Sequence, residues 1–326
     1  MREGLFIKKN KDRWERIQNG ASKDADEVAK DFTRLVDDLA YAKTFYPNGK
    51  VTPYINGLAA RIYLNIYQNR KEESNRLIKF WKYDVPLTIQ KHHLIILLAF
   101  VLFIIFFIVG FFSSYKDPTF VREVLSDAYV DMTERNIEEG NPFGVYMMGN
   151  SFLMWLGLMI NNIVVSFMYF AKGIFFGIPT ISSLIKEAMR LGAFEFMFYA
   201  KSLGTKATIT ILIHGILELT AIIIASSAGI VLGKSFLFPG TIKRWDSLRI
   251  GLKDGVKIVV GLMPIFIVAA FFEGFITRYY NMPLALSLLL LAASASFIIW
   301  YFIIYPVKLY RKLVNTRQNR FPKIHE

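Results

Sequence analysis

"LIILLAFVLFIIFFIVGFF", Leu94 to Phe112, is nineteen residues without one polar side chain. At ~1.5 Å per helical residue it reaches about 28 Å, close to the ~30 Å of a bilayer's hydrocarbon core. The 93 residues before it are hydrophilic and open on the charged Met1-Arg2-Glu3. The stretch is therefore expected to be a retained anchor rather than a leader. Further apolar blocks follow at Phe152–Ala171, Ala207–Leu232, Val256–Phe275 and Leu284–Tyr305. Together they account for a hydrophobic share of 54% and a mean hydropathy of +0.36 over 326 residues. The fold class that follows is all-α: a polytopic helical membrane protein.

The absence of cysteine excludes disulfides, thiolate metal sites and cysteine nucleophiles. A net charge of +13 would suit nucleic acid, but the bases flank the apolar blocks. That placement fits orientation in the membrane and contact with anionic lipid, so no nucleic-acid partner is expected. Eighteen Lys and Arg lie in residues 1–93, six between Lys234 and Lys257, and six from Lys308 onward. Residues 113–151 instead hold seven acids against three bases. The positive-inside rule puts the three basic regions in the cytoplasm and the acidic segment outside.

An even number of spans between outside and the cytoplasmic 234–257 connection does not balance. The spans at 152–171 and 207–232 are two, so one more passage is needed. The residues between them, "GIFFGIPTISSLIKEAMRLGAFEFMFYAKSLG", are apolar but carry Lys186, Glu187, Arg190 and Glu195. Six crossings result if 173–200 crosses as a bent or broken helix, loosened by Gly173, Gly177 and Pro179, with its charges facing protein. Five crossings, with the tail outside, is the competing count.

Residues 1–93 read as a cytoplasmic helical domain, 94–307 as the transmembrane domain, and 308–326 as a basic cytoplasmic tail. In the first, Val28, Phe32, Leu35, Val36, Leu39 and Ala42 recur at helical spacing. "YPNGKVTP" breaks that helix, and a second amphipathic helix is expected from Leu58 through Ile66 to Leu77 and Phe80. Outside, Asp117 and Pro118 predict the start of an amphipathic helix over 117–139 that Gly140 ends, covering the bundle or a partner. Trp81, Trp155, Trp245 and Trp300 are expected at the membrane interfaces.

"ILIHGILELTAIIIASSAGIVLG", Ile211 to Gly233, poses the chemical question. His214 and Glu218 stand one helical turn apart inside a span, where ionisable groups need a partner, a wet cavity or a task. With six crossings, Glu273 comes to the same outer half, and Asn161 and Asn162 lie halfway down their span. These five residues, Asn161, Asn162, His214, Glu218 and Glu273, are expected to form one intramembrane polar cluster. A zinc hydrolase needs three protein ligands. The other histidines, His92, His93 and His325, lie too far along the chain to join His214, and no HExxH occurs. No metal and no cofactor are expected. Ser226 and Ser227 are too distant along the helix from Glu218 to form a triad, and "ASSAG" suits close helix approach instead. No enzymatic activity is expected. Arg278, beside "EGFIT", is a partner for Glu273 or a solvated residue.

Five stretches then carry a family resemblance. "INNIVVSFMYFAKGIFFGIPT", "HGILELTAIIIASSAGIVLGKSFLFPG" and "FFEGFIT", in that order, resemble the stage II sporulation protein M family. "DDLAYAKTFYPNG" and "VPLTIQKHH" resemble its longer members, which add a cytoplasmic helical region. The family's recurrent polar positions correspond here to Asn161, Asn162, His214, Glu218 and Glu273. The resemblance implies a bacterial inner-membrane scaffold that recruits or anchors envelope-remodelling partners, as the sporulation member anchors peptidoglycan-degrading proteins. The alternative is a transporter or lipid-headgroup-handling protein using the polar cluster. Membrane lipids and envelope proteins are the expected partners, and a homo-oligomer is compatible with both readings. The cluster itself is either a lock between helices or a binding site.

Overall fold

The computed structural model describes residues 2–20, 24–68, 75–142, 144, 150–277 and 282–320, and among these every regular element is a helix. The chain divides into two compact units, Met1–Arg76 and Leu77–Glu326. The expected boundary at 93 thus moves to 76, because residues 77–93 pack with the long apolar helices. Val85 and Ile89 join their core, and Trp81 Nε1 donates to the Gly261 carbonyl at 3.2 Å.

The first unit holds α1 (Glu3–Asn19), α2 (Ala25–Phe45) and α3 (Val51–Gln68). Asp24 caps α2 by accepting from the Asp26 amide, and Asp26 and Glu27 place negative charge at its positive end. Leu35 and Ala42 are fully buried, whereas Val36, counted in the expected stripe, is 43% exposed. Periodicity alone passed over α1, whose Phe6, Trp14 and Ile17 lie on one face and close the core with Ile55, Leu58 and Ile62 of α3. The second amphipathic helix is described as far as Gln68, residues 69–74 of its expected continuation lie outside the described residues, and Leu77 is exposed on the short α4 (Arg76–Lys79).

In the second unit a π-helical turn, Phe80–Asp84, leads into α5 (Val85–Lys91) and then α6 (His93–Lys116), which contains the nineteen-residue apolar stretch. The external segment is two helices, not one. α7 (Pro118–Leu125) is capped by Asp117 as expected, and α8 (Asp127–Glu138) follows a break at Ser126, whose φ is +79°. The Thr119 hydroxyl and amide, both donating to Asp117, hold its carboxyl below the usual carboxylate range. Val121 and Val130 pack with Met197, Phe198, Ala207 and Ile211, so α7 and α8 cover the ends of two helices described next.

Those are α10 (Ile178–Ala200) and α11 (Gly204–Leu237), and α9 (Ser151–Lys172) precedes them. Among the described residues five helices are long and apolar enough to cross a membrane: α6, α9, α11, the run Arg244–Ile276 that begins with α12 (Arg244–Phe271), and the run Leu284–Thr316 through α13 (Leu284–Ile298) into α14 (Tyr305–Arg320). α11 is the most buried of them and forms the hub.

α10 is too charged to count among those five, yet it follows α6 along its length. Ala99 and Phe103 cluster with Leu184 and Ala188, Gly192 lies on the Phe107 backbone, and the rings of Phe111 and Phe196 are 5.5 Å apart. Residue numbers rise together on both helices, so they run parallel and cover the same thickness. The interruption expected at the start of 173–200 falls at Phe176 and Gly177, which take φ of +60° and +78°, and from Ile178 to Ala200 α10 is continuous. Its charges face protein only in part. Glu195 is buried, while Lys186 is exposed.

The last helix run returns to the end where α6 begins: Tyr301 and Tyr305 donate to the carbonyls of Trp81 and Lys82 at 2.8 and 2.9 Å. Counting α10, six helix runs among the described residues pass through this thickness, the even number that a return to the starting end requires. In this cysteine-free chain, Ser182→Cys and Thr316→Cys are expected to label from one side of sealed vesicles and Asp127→Cys from the other. Labelling of Thr316→Cys and Asp127→Cys by the same impermeant maleimide would exclude the six-passage arrangement.

Candidate functional site

His214 and Glu218 sit one turn apart on α11, and Glu273 enters from the π-helical turn Phe272–Ile276 that ends the preceding run of α12. One ligand atom from each lies within 4.8 Å of the others. The π turn matters because the extra residue in its ring rotates the following side chains relative to an α-helix, a local adjustment common at functional sites. Thr277 closes it, its amide bonding to the Phe272 carbonyl at 2.8 Å.

The Thr277 hydroxyl also donates to the Phe272 carbonyl, at 3.2 Å, and stands 3.0 Å from His214 Nδ1. This contact fixes the position of the ring, and which partner donates follows the imidazole tautomer.

The asparagine pair divides. Asn162 is buried beside Glu218, and its Nδ2 has no hydrogen-bond partner among the described residues. Asn161 is exposed on α9 and reaches the group only through Asn162, donating to its Oδ1 at 3.3 Å. Four of the five expected residues therefore meet directly and the fifth stands at the rim. Arg278 lies outside the described residues.

A cavity of about 350 Å³ opens beside the cluster. Its wall adds Glu187 and Arg190 of α10, paired at 2.9 Å, and Tyr129 of α8. Burial pushes the Tyr129 phenol up, so it offers the cavity a neutral hydroxyl. Glu195 lines a second cavity of about 390 Å³, with Phe107, Phe111 and Leu212, and accepts from Thr208 at 2.8 Å. The two cavities share the walls Leu191, Ile211 and Leu219. Sequence reasoning noted Glu187 and Arg190 without placing them here, because they come from a helix whose rotation no local pattern sets.

Ser226 and Ser227 are fully buried and donate to carbonyls of their own helix. They pack rather than react. Nearby Gly229 lets α11 press on the Tyr169 carbonyl of α9, as the small-residue reading expects. Trp81 and Trp155, expected simply at interfaces, each donate to a backbone carbonyl, of Gly261 and Ile267.

A sequence model of the family described as Stage II sporulation protein M matches residues 99–278. The chain belongs to the stage II sporulation protein M family. The match runs from within α6 to the end of the π turn, so the family's part of the chain contains all five polar positions and both cavities. A model described as Domain of unknown function (DUF8413) matches residues 4–68, the three helices of the first unit. No curated protein and no solved structure matches the chain. In this member of the sporulation protein M family, the polar cluster joins α9, α11 and the end of α12, three separate stretches of the family's part.

Proposed function

We propose that this sporulation protein M family member is a bacterial inner-membrane protein that holds an amphipathic, lipid-like molecule in its two adjoining cavities, with the N-terminal unit and the C-terminal tail on the cytoplasmic side. One observation carries the reading: a polar cavity lined by His214, Glu218 and Glu273 shares walls with an apolar one lined by Phe107, Phe111 and Leu212. A headgroup needs hydrogen-bonding and charged groups, and an acyl chain needs an aromatic and aliphatic wall. The lining supplies both within the thickness of the bundle. The basic residues flanking the apolar blocks support the orientation. The cluster is assigned binding and no covalent step.

The cavity can be filled without disturbing its walls. Gly215 lines only the polar cavity, and a Cβ there would meet nothing closer than Ile211 at 3.6 Å. Gly215→Leu is expected to fold at least as well as the parent, since removing a mid-helix glycine gains up to ~1 kcal/mol. Native mass spectrometry of both proteins in lipid nanodiscs is expected to show a lipid-sized adduct on the parent that falls at least ~10-fold in the variant, an affinity change of ~1.4 kcal/mol. Equal adducts on two well-folded proteins would end the reading.

A second reading, the scaffold, has its own support: the Met1–Arg76 unit is compact, with a separate core and a separate domain match. A module of that kind suits recruitment of envelope-remodelling partners. Pull-downs from native membranes with the full chain and with a chain beginning at Leu77 are expected to differ in recovered proteins. Identical recoveries would remove the recruiting role from that unit.

A further inference from the structure

We propose that His214, Glu218 and Glu273 bind a divalent first-row transition cation, of the zinc or manganese class, at the wall of the polar cavity. The inference rests on reading that cavity as a ligand site and names what occupies its deepest part. Three N and O donors from two helix runs lie within 4.8 Å of one another. Around a four-coordinate ion with bonds of ~2.1 Å, ligand atoms stand about 3.4 Å apart. Rotamer shifts of about an ångström close the observed spacing. One imidazole with two carboxylates suits zinc or manganese better than magnesium or calcium, which favour oxygen-only sites.

Four further observations point the same way. His214 Nδ1 stands 3.0 Å from the Thr277 hydroxyl, the kind of outer hydrogen bond that a metal-ligating histidine makes through its other ring nitrogen. Asn162 Nδ2 is buried without a hydrogen-bond partner among the described residues, next to Glu218, where it can donate to a ligating carboxylate. Among the described residues lining the cavity, Glu187, Glu218 and Glu273 face one guanidinium, Arg190, which is already paired with Glu187. Two carboxylates this close in a low-dielectric setting are held by a shared proton or by a compensating cation, and a dication supplies the second. Finally, three protein ligands leave a coordination position open, and about 350 Å³ of cavity adjoins it, enough for an oxygen atom of a headgroup to reach the ion.

The full chain, with any affinity tag removed, is stripped with chelator in nanodiscs and titrated with Zn²⁺ and separately with Mn²⁺. One saturable ion per chain is expected. Glu218→Gln and Glu273→Gln are each expected to weaken it at least ~100-fold, whereas Thr277→Val, a positioning change, weakens it ~10- to 100-fold. Glu123→Gln, on the exposed side of α7 and away from the cavity, is expected to bind as the parent does. Size-exclusion behaviour reports folding, and a second readout needs no variant. Mn²⁺ bound to the parent is expected to show coupling to a histidine ¹⁴N in pulsed electron paramagnetic resonance. No stoichiometric ion, an ion that well-folded Gln variants retain, or bound Mn²⁺ without nitrogen coupling each overturns the proposal. If the ion is absent but Gly215→Leu still strips the adduct, the cavity reading stands with protons holding the carboxylates together. If both tests fail, both readings fall.

Discussion

Gly192→Leu is expected to abolish recovery of folded protein. A Cβ at Gly192 would lie 2.2 Å from the Phe107 carbonyl oxygen and 2.7 Å from the Phe111 nitrogen, both backbone atoms of α6. One turn away on the partner helix, a Cβ at Gly110 would lie 2.4 Å from the Met189 carbonyl oxygen. The two helices are thus in backbone contact on both sides of the crossing. No rotamer relieves such a clash, so the helices must part. Parting them loosens Ala99, Phe103, Leu184 and Ala188, all buried, and separates the Phe111 and Phe196 rings. Overpacking costs typically ~1–3 kcal/mol and more when backbone must move, so Gly192→Leu belongs at or above ~3 kcal/mol. Gly192→Ala is expected within the lower range. The control is Gly157 on α9, where a Cβ meets nothing within 4 Å. Gly157→Ala is expected to be neutral or stabilising by up to ~1 kcal/mol. Thermal midpoints from fluorescence-detected size exclusion separate these cases. Equal midpoints for Gly192→Leu and Gly157→Ala would refute the parallel packing of α6 and α10.

Asp38→Ala is expected to destabilise the first unit while sparing the second. Asp38 accepts from Trp14 Nε1 at 2.8 Å and pairs with Arg13, joining α1 to α2 through one carboxylate. Trp14 is 2% exposed, and Asp38 and Arg13 are only partly exposed. Removing the acid leaves an indole N–H and a guanidinium without their acceptor. A fully buried pair broken this way costs ~3–5 kcal/mol. Residual solvent access discounts that to ~2–3 kcal/mol. A unit of this size has a net stability of only about 5 kcal/mol, so the loss consumes roughly half of it. Hydrogen exchange on the full chain is expected to show peptides from residues 3–45 losing protection, with α11 peptides unchanged. Unaltered protection in α1 would show that packing of Phe6, Trp14 and Ile17 suffices without the ion pair.

Much of this architecture is legible in the chain because membrane helices must satisfy their own backbone, leaving length and hydropathy to declare them. Leu94–Phe112 declares itself in that way, and so do the four other long apolar blocks. Asp117-Pro118 marks a helix start with a side chain and a ring that act on their immediate neighbours. α10 resists the same reading because its charges lower its hydropathy, and what keeps it beside α6 is two glycines on different helices. The break at Ser126 is hidden too. Its left-handed φ has no glycine to announce it.

The polar cluster shows the same division. His214 and Glu218 at one-turn spacing are a property of the sequence, and the cost of charge in hydrocarbon makes them conspicuous. The search for metal ligands stopped at histidines, however, and passed over the carboxylate that would complete a set. Whether Glu273 turns inward depends on a π-helical turn closed by Thr277, and the rank of Asn161 below Asn162 depends on the rotation of α9.

What the sequence alone determined is the class of the molecule, its long helices, its family and the five polar positions, since each follows from composition or short-range spacing. The tertiary structure decided which of those positions meet, that α10 runs parallel to α6 over the same thickness, and that a polar and an apolar cavity share a wall. Those outcomes depend on how helices distant in the chain rotate and approach, which is set by close contacts such as Gly192 on Phe107 and Gly229 on Tyr169 rather than by any local pattern.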